Sequence, residues 1–265
     1  MTEKQNRSLQ WTVDFIKRNF GTSCICTASA LPSLSVLPTG LPDLDEALGI
    51  GGIPRGKIVE IHGPDAAGKT ALALHIAQMV QTAVYIDADH GLTPAQMAAC
   101  EGVHFLSVET LEDALTVIMK AATACDVIVI DTLTALPAKV ELLEPIGTYQ
   151  GAVAKILSAA FPQLVIQLAK TGCTLVIVNQ IRKPPVIYGN PEKVTGGCAL
   201  RHYAAMRLDV RCAEYIMEKK VVTGQRIRIK TVKNKCAAPM KEIRLDLLYD
   251  GSLQSVALPP LRRRP

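Results

Sequence analysis

Aromatic residues are scarce in this 265-residue chain, with four Phe, six Tyr and one Trp making up 4% of it. A core of ordinary size must then be filled by Ile, Val, Leu and Ala, which suits an α/β protein with buried strands. The eight cysteines (24, 26, 100, 125, 173, 198, 212 and 236) never fall in the C-x-x-C pairs of a zinc or dithiol redox site. No apolar run reaches about 18 residues, and Met1 opens onto polar residues rather than a secretory leader. These absences point to a cytoplasmic protein with reduced thiols and no membrane partner. Charge of one sign is not in strong excess either. The net +5 permits a polyanionic partner without requiring one. The length allows a large core in about one or two domains.

What is present is a phosphate-loop sequence, Gly63-Pro64-Asp65-Ala66-Ala67-Gly68-Lys69-Thr70, running on into Ala71. Its glycines let backbone N–H groups close around phosphates, Lys69 neutralises their charge, and the Thr70 hydroxyl can ligate Mg²⁺. A Gly-rich turn can match such a pattern by chance. Here residues 57–62 read as the strand that must precede the loop. Residues 71–80 read as the helix that must follow, its N-terminus turned to the anion. The chain reads as a binder of a nucleoside triphosphate.

Upstream, residues 8–19 carry Leu9, Val13 and Ile16 at helical spacing, with Trp11 and Phe15 broadening the stripe. Gly21 ends that helix, residues 23–27 read as a short strand, and a Pro/Ser/Leu linker runs from 31 to 38. The pattern leaves two options open: an arm docking on a second subunit, or a helix packed on its own core. From Thr39 a compact unit begins, with a short helix in 40–49 closed by glycines.

Downstream, strands alternate with helices, which implies a mostly parallel sheet covered on both faces, an α/β fold. Residues 83–87 form a buried strand with Asp87, Asp89 and His90 at its C-terminal end, where open α/β sheets place their chemistry. Thr110 reads as a helix N-cap with an acid in the first turn, ahead of a core face of Leu111, Leu115, Ile118 and Met119. The apolar run 126–131 ends in Asp131, a carboxylate for the Mg²⁺ hydration shell or the cap of a turn. Strand 174–178 leads into Asn179-Gln180, an amide able to sense a γ-phosphate. Residues 181–198 are irregular and hold Arg182, Lys183, Lys193 and Gly196-Gly197, either a nucleic-acid loop beside that sensor or a solvated one. Residues 206–211 and 226–230 alternate as half-exposed strands. Lys233 and Lys235 share one face, ready to present paired charge to a phosphate or to solvate an edge. Strand 242–248 and a disordered tail close the chain.

The order of these pieces resembles the bacterial RecA recombinase family. The matching runs are Thr39-Gly40 with LDEALG (44–49), GGIPRGKIVEIHGPDAAGKT, YIDADH, DVIVIDTLTALPAK, VIVNQIR, YGNPEKVTGG, ALRHYAAMRLDVR and VKNKCAAPMK, spread over about residues 8 to 250. The resemblance implies a RecA-type ATPase core (39–250) behind an N-terminal helix-strand oligomerisation arm and linker (1–38), with a short basic tail (251–265). It implies ATP and Mg²⁺ as cofactors. Its implied partners are single-stranded DNA, double-stranded DNA as exchange partner, further copies in a helical filament, and a LexA-type repressor. On it, Lys69 and Thr70 hold phosphate and Mg²⁺, Asp131 holds the Mg²⁺ shell, Gln180 senses the γ-phosphate, and Tyr249 stacks on the base. Lys233 and Lys235 reach the neighbour's ATP, in the manner of an arginine finger supplied in trans. DNA contacts fall on Lys155, Ser158, Arg182, Lys183, Lys193, Thr195, Gly196, Gly197 and Arg201, in and around loops 144–151 and 182–197.

The sequence departs from the family pattern at several of these positions. The catalytic glutamate falls on Asp89, whose carboxylate is one methylene shorter, so slow hydrolysis is expected. The acidic and tyrosine contacts to adenine fall on Thr93 and Gln96. One loop arginine is Lys155 and another is Pro162, Pro184-Pro185 stiffens the second loop, and His202 replaces a phenylalanine. The chain reads as a short form without the family's C-terminal domain and acidic tail.

Overall fold

The computed structural model describes residues 3–27, 34–143, 151–182, 193–194 and 197–256. The chain divides into two compact units, 1–35 and 36–265. The first is helix α1 (Glu3–Phe20), longer at both ends than the apolar stripe that marks it, with Trp11 and Phe15 stacked at 5.7 Å. Gly21 ends it at φ 93°, a left-handed conformation that glycine adopts without strain. The strand expected over 23–27 does not form. Thr22–Cys24 is a single 3₁₀ turn, and residues 25–27 join no described strand, so the ladder that would hold them extended is missing.

The second unit is the α/β core. Short β1 (Val36–Leu37) pairs antiparallel with β2 (Ile53–Pro54) around helix α2 (Pro42–Leu48), which starts on a proline and ends on left-handed Gly49. The main strands are β3 (Ile58–Gly63), β4 (Ala83–Asp87), β5 (Val103–Leu106), β6 (Val127–Asp131) and β7 (Thr174–Arg182). They continue with β9 (Met206–Glu218), β10 (Val221–Asn234), β11 (Glu242–Leu248) and β12 (Leu253–Ser255), and β8 (Lys193–Val194) folds back on β7. Their order across the sheet is β12-β11-β10-β9-β3-β7-β6-β4-β5. From β9 to β5 the neighbours are parallel, and β10 to β12 add an antiparallel meander. The segment expected to be a disordered tail thus contributes β12, which pairs Leu253–Ser255 with β11.

The helices are α3 (Lys69–Gln78), α4 (Pro94–Ala98), α5 (Leu111–Ala121), α6 (Lys139–Leu143), α7 (Ala152–Thr171) and α8 (Gly197–Tyr203). They cover both faces, and strand alternation feeds two cores. In β6, Val127 and Val129 join the cluster under α2 and α3, while Ile128 and Ile130 join the one under α5, α7 and α8. Such two-sided burial is what a continuous apolar strand signals. Thr110 caps α5 by accepting the Asp113 N–H, as its position predicts. Among the described helices, α7 has the length and apolar composition of a membrane span, yet it buries Leu157, Phe161, Leu164 and Leu168 against the sheet. Each such side chain contributes about 2 kcal/mol of apolar burial. Pro162 sits inside α7 and removes the N–H that would bond the carbonyl of Ser158.

Candidate functional site: a phosphate loop at one end of the sheet

Strand β3 ends at Gly63 because nothing larger fits: a Cβ there would lie 2.0 Å from the carbonyl oxygen of Val210 on β9. The chain then turns through Ala66, held left-handed at φ 56°, and Gly68 at φ 89° before α3 begins at Lys69. A left-handed alanine costs about 1–2 kcal/mol. Gln225 on β10 supports it by donating to the Ala66 carbonyl at 3.0 Å. The result is a backbone cradle at the N-terminus of a ten-residue helix, able to receive an anion.

Lys69 leans over this loop and donates to the Pro64 carbonyl at 2.6 Å. Burial lowers its pKa, an effect opposed by Asp65, Asp131 and Asp89. Thr70, one residue on, donates to Asp131 Oδ2 at 2.7 Å, and the buried Tyr85 hydroxyl donates to the same oxygen at 2.7 Å. Asp131 Oδ1 is buried with no hydrogen-bond partner. An orphaned carboxylate oxygen costs of order 1–3 kcal/mol, and a hydrated cation beside Thr70 would meet it. Burial pushes the Asp131 carboxyl up, and the hydrogen bonds from Tyr85 and Thr70 pull it back. Burial and Asp131 together hold the Tyr85 phenol protonated. Among the described residues no group of three His, Cys, Asp or Glu could hold a metal alone. The donor set fits Mg²⁺ instead, which takes one or two protein oxygens and completes its shell with water and phosphate.

Asp87 and Asp89 close the cleft from β4. Asp87 accepts the N–H groups of Gly91 (3.1 Å) and Leu92 (3.2 Å), which fixes the turn. Asp89 is at the surface, where its Oδ1 also meets Gly91 N–H at 3.1 Å. Partial desolvation and then Asp87 raise its carboxyl, against the pull of Gly91. Gln180 lies two residues before the end of β7 (Arg182) and is in register with Gly63, the last residue of β3. Beneath it Asn179 donates to buried Glu60 at 3.2 Å, and Arg207 holds the other Glu60 oxygen. A cleft of about 710 Å³ opens beside α3, lined by His75, Gln78, Thr93, Gln96 and Tyr249 among others.

The structure separates the remaining residues from this cluster. Lys233 is in register with Arg207, and Arg207 with Glu60, three residues before Gly63. The lysines therefore sit about 10 Å back along the strands and about 10 Å across them from the loop, at the other end of the sheet. There Lys233 donates to the Arg201 (2.6 Å) and His202 (3.0 Å) carbonyls, and Lys235 to His202 (3.2 Å), at the C-terminus of α8. Lys155 and Ser158 are exposed on the first turns of α7, and Arg201 is exposed on α8; the two helices pack through Phe161 against Tyr203 at 5.7 Å. Arg182 and Lys193 pair as backbone in β7 and β8, and Gly197 opens α8. Lys183, Thr195, Gly196 and loop residues 144–150 lie outside the described residues.

Three participants escape a reading of the sequence. Tyr85 looks like core, although a buried phenol needs a partner and its strand ends at the site, a signal that could have found it. Gln225 and the Glu60–Asn179–Arg207 link are long-range pairs that no local spacing announces.

A parallel sheet covered on both faces, with a glycine loop between strand and helix and a carboxylate on a neighbouring strand, defines a phosphate-loop nucleoside triphosphatase fold. The RecA N-terminal domain family matches residues 7–254. Protein RecA of Geobacter sulfurreducens is 38% identical over 264 residues, covering 94% of this chain and 78% of that protein. Protein RecA of Caldanaerobacter subterraneus is 39% identical over 94% of this chain and 77% of its own, and that of Gloeobacter violaceus 38% over 96% and 72%. The chain belongs to the RecA family of recombinases, DNA-dependent ATPases.

Proposed function

We propose that this protein binds single-stranded DNA as an ATP-dependent filament and catalyses homologous pairing and strand exchange in recombination and repair. The observation that carries the reading is the separation of the phosphate loop from Lys233 and Lys235 within one chain. A lysine pair that cannot reach its own loop can serve the loop of a neighbour stacked head to tail, which generates an open helical assembly. Bound Mg²⁺ neutralises phosphate charge. The chain supplies the rest. The loop N–H groups and Lys69 hold the β- and γ-phosphates, and the Thr70 hydroxyl and the Asp131 carboxylate would hold the cation. Asp89 orients the attacking water, and Gln180 passes the presence of the γ-phosphate to the segment carrying Arg182, Lys193 and Gly197. Lys155, Ser158 and Arg201 contact DNA from the same side of the sheet.

Asp89 is the reason to expect slow turnover. Its carboxylate stops about 1 Å short of a glutamate's reach, and misplacement on that scale can cost about a hundredfold. A second reading, a DNA-coating or recombinase-modulating protein without exchange, is favoured by Pro162, which puts a helix-internal proline where a basic contact would stand. The test is strand exchange between short labelled oligonucleotides with ATP and Mg²⁺. Homology-dependent exchange that Lys69→Ala abolishes supports the first reading. ATP-dependent DNA binding without exchange supports the second.

A further inference from the structure

We propose that Gln225 is a positioning residue for the phosphate loop, one that sets the loop's affinity by holding Ala66 left-handed before any nucleotide arrives. The inference rests on the loop being a nucleotide site and adds what keeps that site in its binding shape.

The loop has a weak point. Ala66 takes φ 56°, a conformation that alanine enters at a cost and glycine does not. Its side chain is exposed, so no packing around the methyl group holds it there. Lys69 braces the loop at the Pro64 carbonyl, 2.6 Å away, but a lysine that turns to a phosphate gives that bond up. The Gln225 amide donates to the carbonyl of Ala66 itself, at 3.0 Å, and has no phosphate to meet. A carbonyl only accepts, so the NH₂ end of the amide must face the loop.

Strand β10 is shaped to deliver that amide. Its pairing with β9 slips on both sides of Gln225, between Val222 and Gly224 and between Arg226 and Ile227. Such slips re-aim side chains and gather beside functional sites. Gly224 lets β10 close on β11, since a Cβ there would lie 2.5 Å from the Leu247 carbonyl oxygen. Gly68, the next left-handed residue of the loop, rests on the same floor. A Cβ on it would lie 3.0 Å from Leu247, 3.2 Å from Ile227 and 3.6 Å from Gln225 Nε2. One amide, 8% exposed and set between apolar neighbours, therefore lies under both left-handed turns. A buried donor in such surroundings is costly unless it is used, and the Ala66 carbonyl uses it. With the bond gone, Ala66 would relax to negative φ for part of the time, and nucleotide would bind only the remaining fraction.

The experiment is a double-mutant cycle on the dissociation constant for ATP with Mg²⁺, measured by titration calorimetry on the full chain. Its members are Gln225→Met, Ala66→Gly and the pair. Gln225→Met keeps the length of the side chain and removes the donor. It should weaken binding by about tenfold when residue 66 is alanine. In the Ala66→Gly background the same change should weaken it by less than about threefold, because glycine needs no holding. A purely structural glutamine would cost the same factor in both backgrounds, and that result would overturn the proposal. So would a Gln225→Met chain that binds as wild type does. Gln225→Glu has the native size and turns an acceptor oxygen to the carbonyl, so it serves if methionine does not pack. It should weaken binding by at least tenfold, and wild-type affinity in it would overturn the proposal as well. A wild-type chain that does not bind ATP would overturn the nucleotide site itself, a result that no difference among the variants can mimic.

Discussion

On the proposed function, the phosphate half of the nucleotide cleft is built of backbone, and the base half is built of side chains. On the phosphate side, Gly63 is dictated by the Val210 carbonyl, Gly68 by its left-handed turn, and Lys69 and Thr70 by the helix that starts there. Few sequences satisfy those demands. On the base side, Thr93, Gln96, Gln78 and Tyr249 need only pack and satisfy one another, and many sets of residues can do that. One half is therefore held to a pattern by geometry, and the other is open to change without loss of fold.

Substitutions on the two sides should separate accordingly. The largest effect is expected from Lys69→Ala, which removes a partly buried side-chain cation that leans over the loop. ATP turnover should fall by at least a hundredfold, with the melting temperature little changed; turnover within tenfold of wild type would refute the phosphate assignment. Asp89→Glu comes next and acts in the other direction. The longer side chain should raise DNA-dependent turnover by about ten- to a hundredfold, and an unchanged or lower rate would show that Asp89 does not limit the chemistry. Tyr85→Phe takes one donor from Asp131 and leaves Thr70 as its remaining partner. A loss of about 2 kcal/mol is expected in denaturant melts, with more Mg²⁺ needed for half-maximal turnover. Its sign is set by the shift: the Tyr85 hydrogen bond lowers the Asp131 carboxyl, so its removal lets burial raise that group further. Thr93→Ala should be the mildest, costing about 1 kcal/mol of stability through the lost cap and leaving saturated ATP turnover as it was. A drop in turnover there would erase the distinction between the halves.

The same distinction explains what could be read in the chain. Strands β4 and β6, and helix α5 with its Thr110 cap, follow from apolar runs and one capping residue, so local sequence suffices. Strand β11 occupies Glu242–Leu248, the span its alternation marks. Strands β9 and β10 run well beyond 206–211 and 226–230, because they meet at Lys219-Lys220, both left-handed (φ 47° and 69°). A two-residue hairpin of that kind usually announces itself with Asn or Gly, and two lysines hide it. The phosphate loop is visible because its geometry selects glycine at Gly63 and Gly68. Tyr85 and Gln225 are invisible because each is chosen by a partner 46 or 159 positions away.

The lysine pair and the loop lie at opposite ends of one sheet, and on the proposed head-to-tail stacking that polarity has an arithmetical consequence. A row of n copies contains n − 1 completed cleft-and-lysine junctions, because one terminal copy offers its loop to nothing and the other offers its lysines to nothing. Short rows are mostly ends, so turnover per copy should rise with row length and level off. The two termini also differ chemically, one an open cleft and one a bare lysine pair, and an incoming copy meets a different surface at each. Growth and shrinkage of such a row then have a preferred direction written into the strand order of a single subunit.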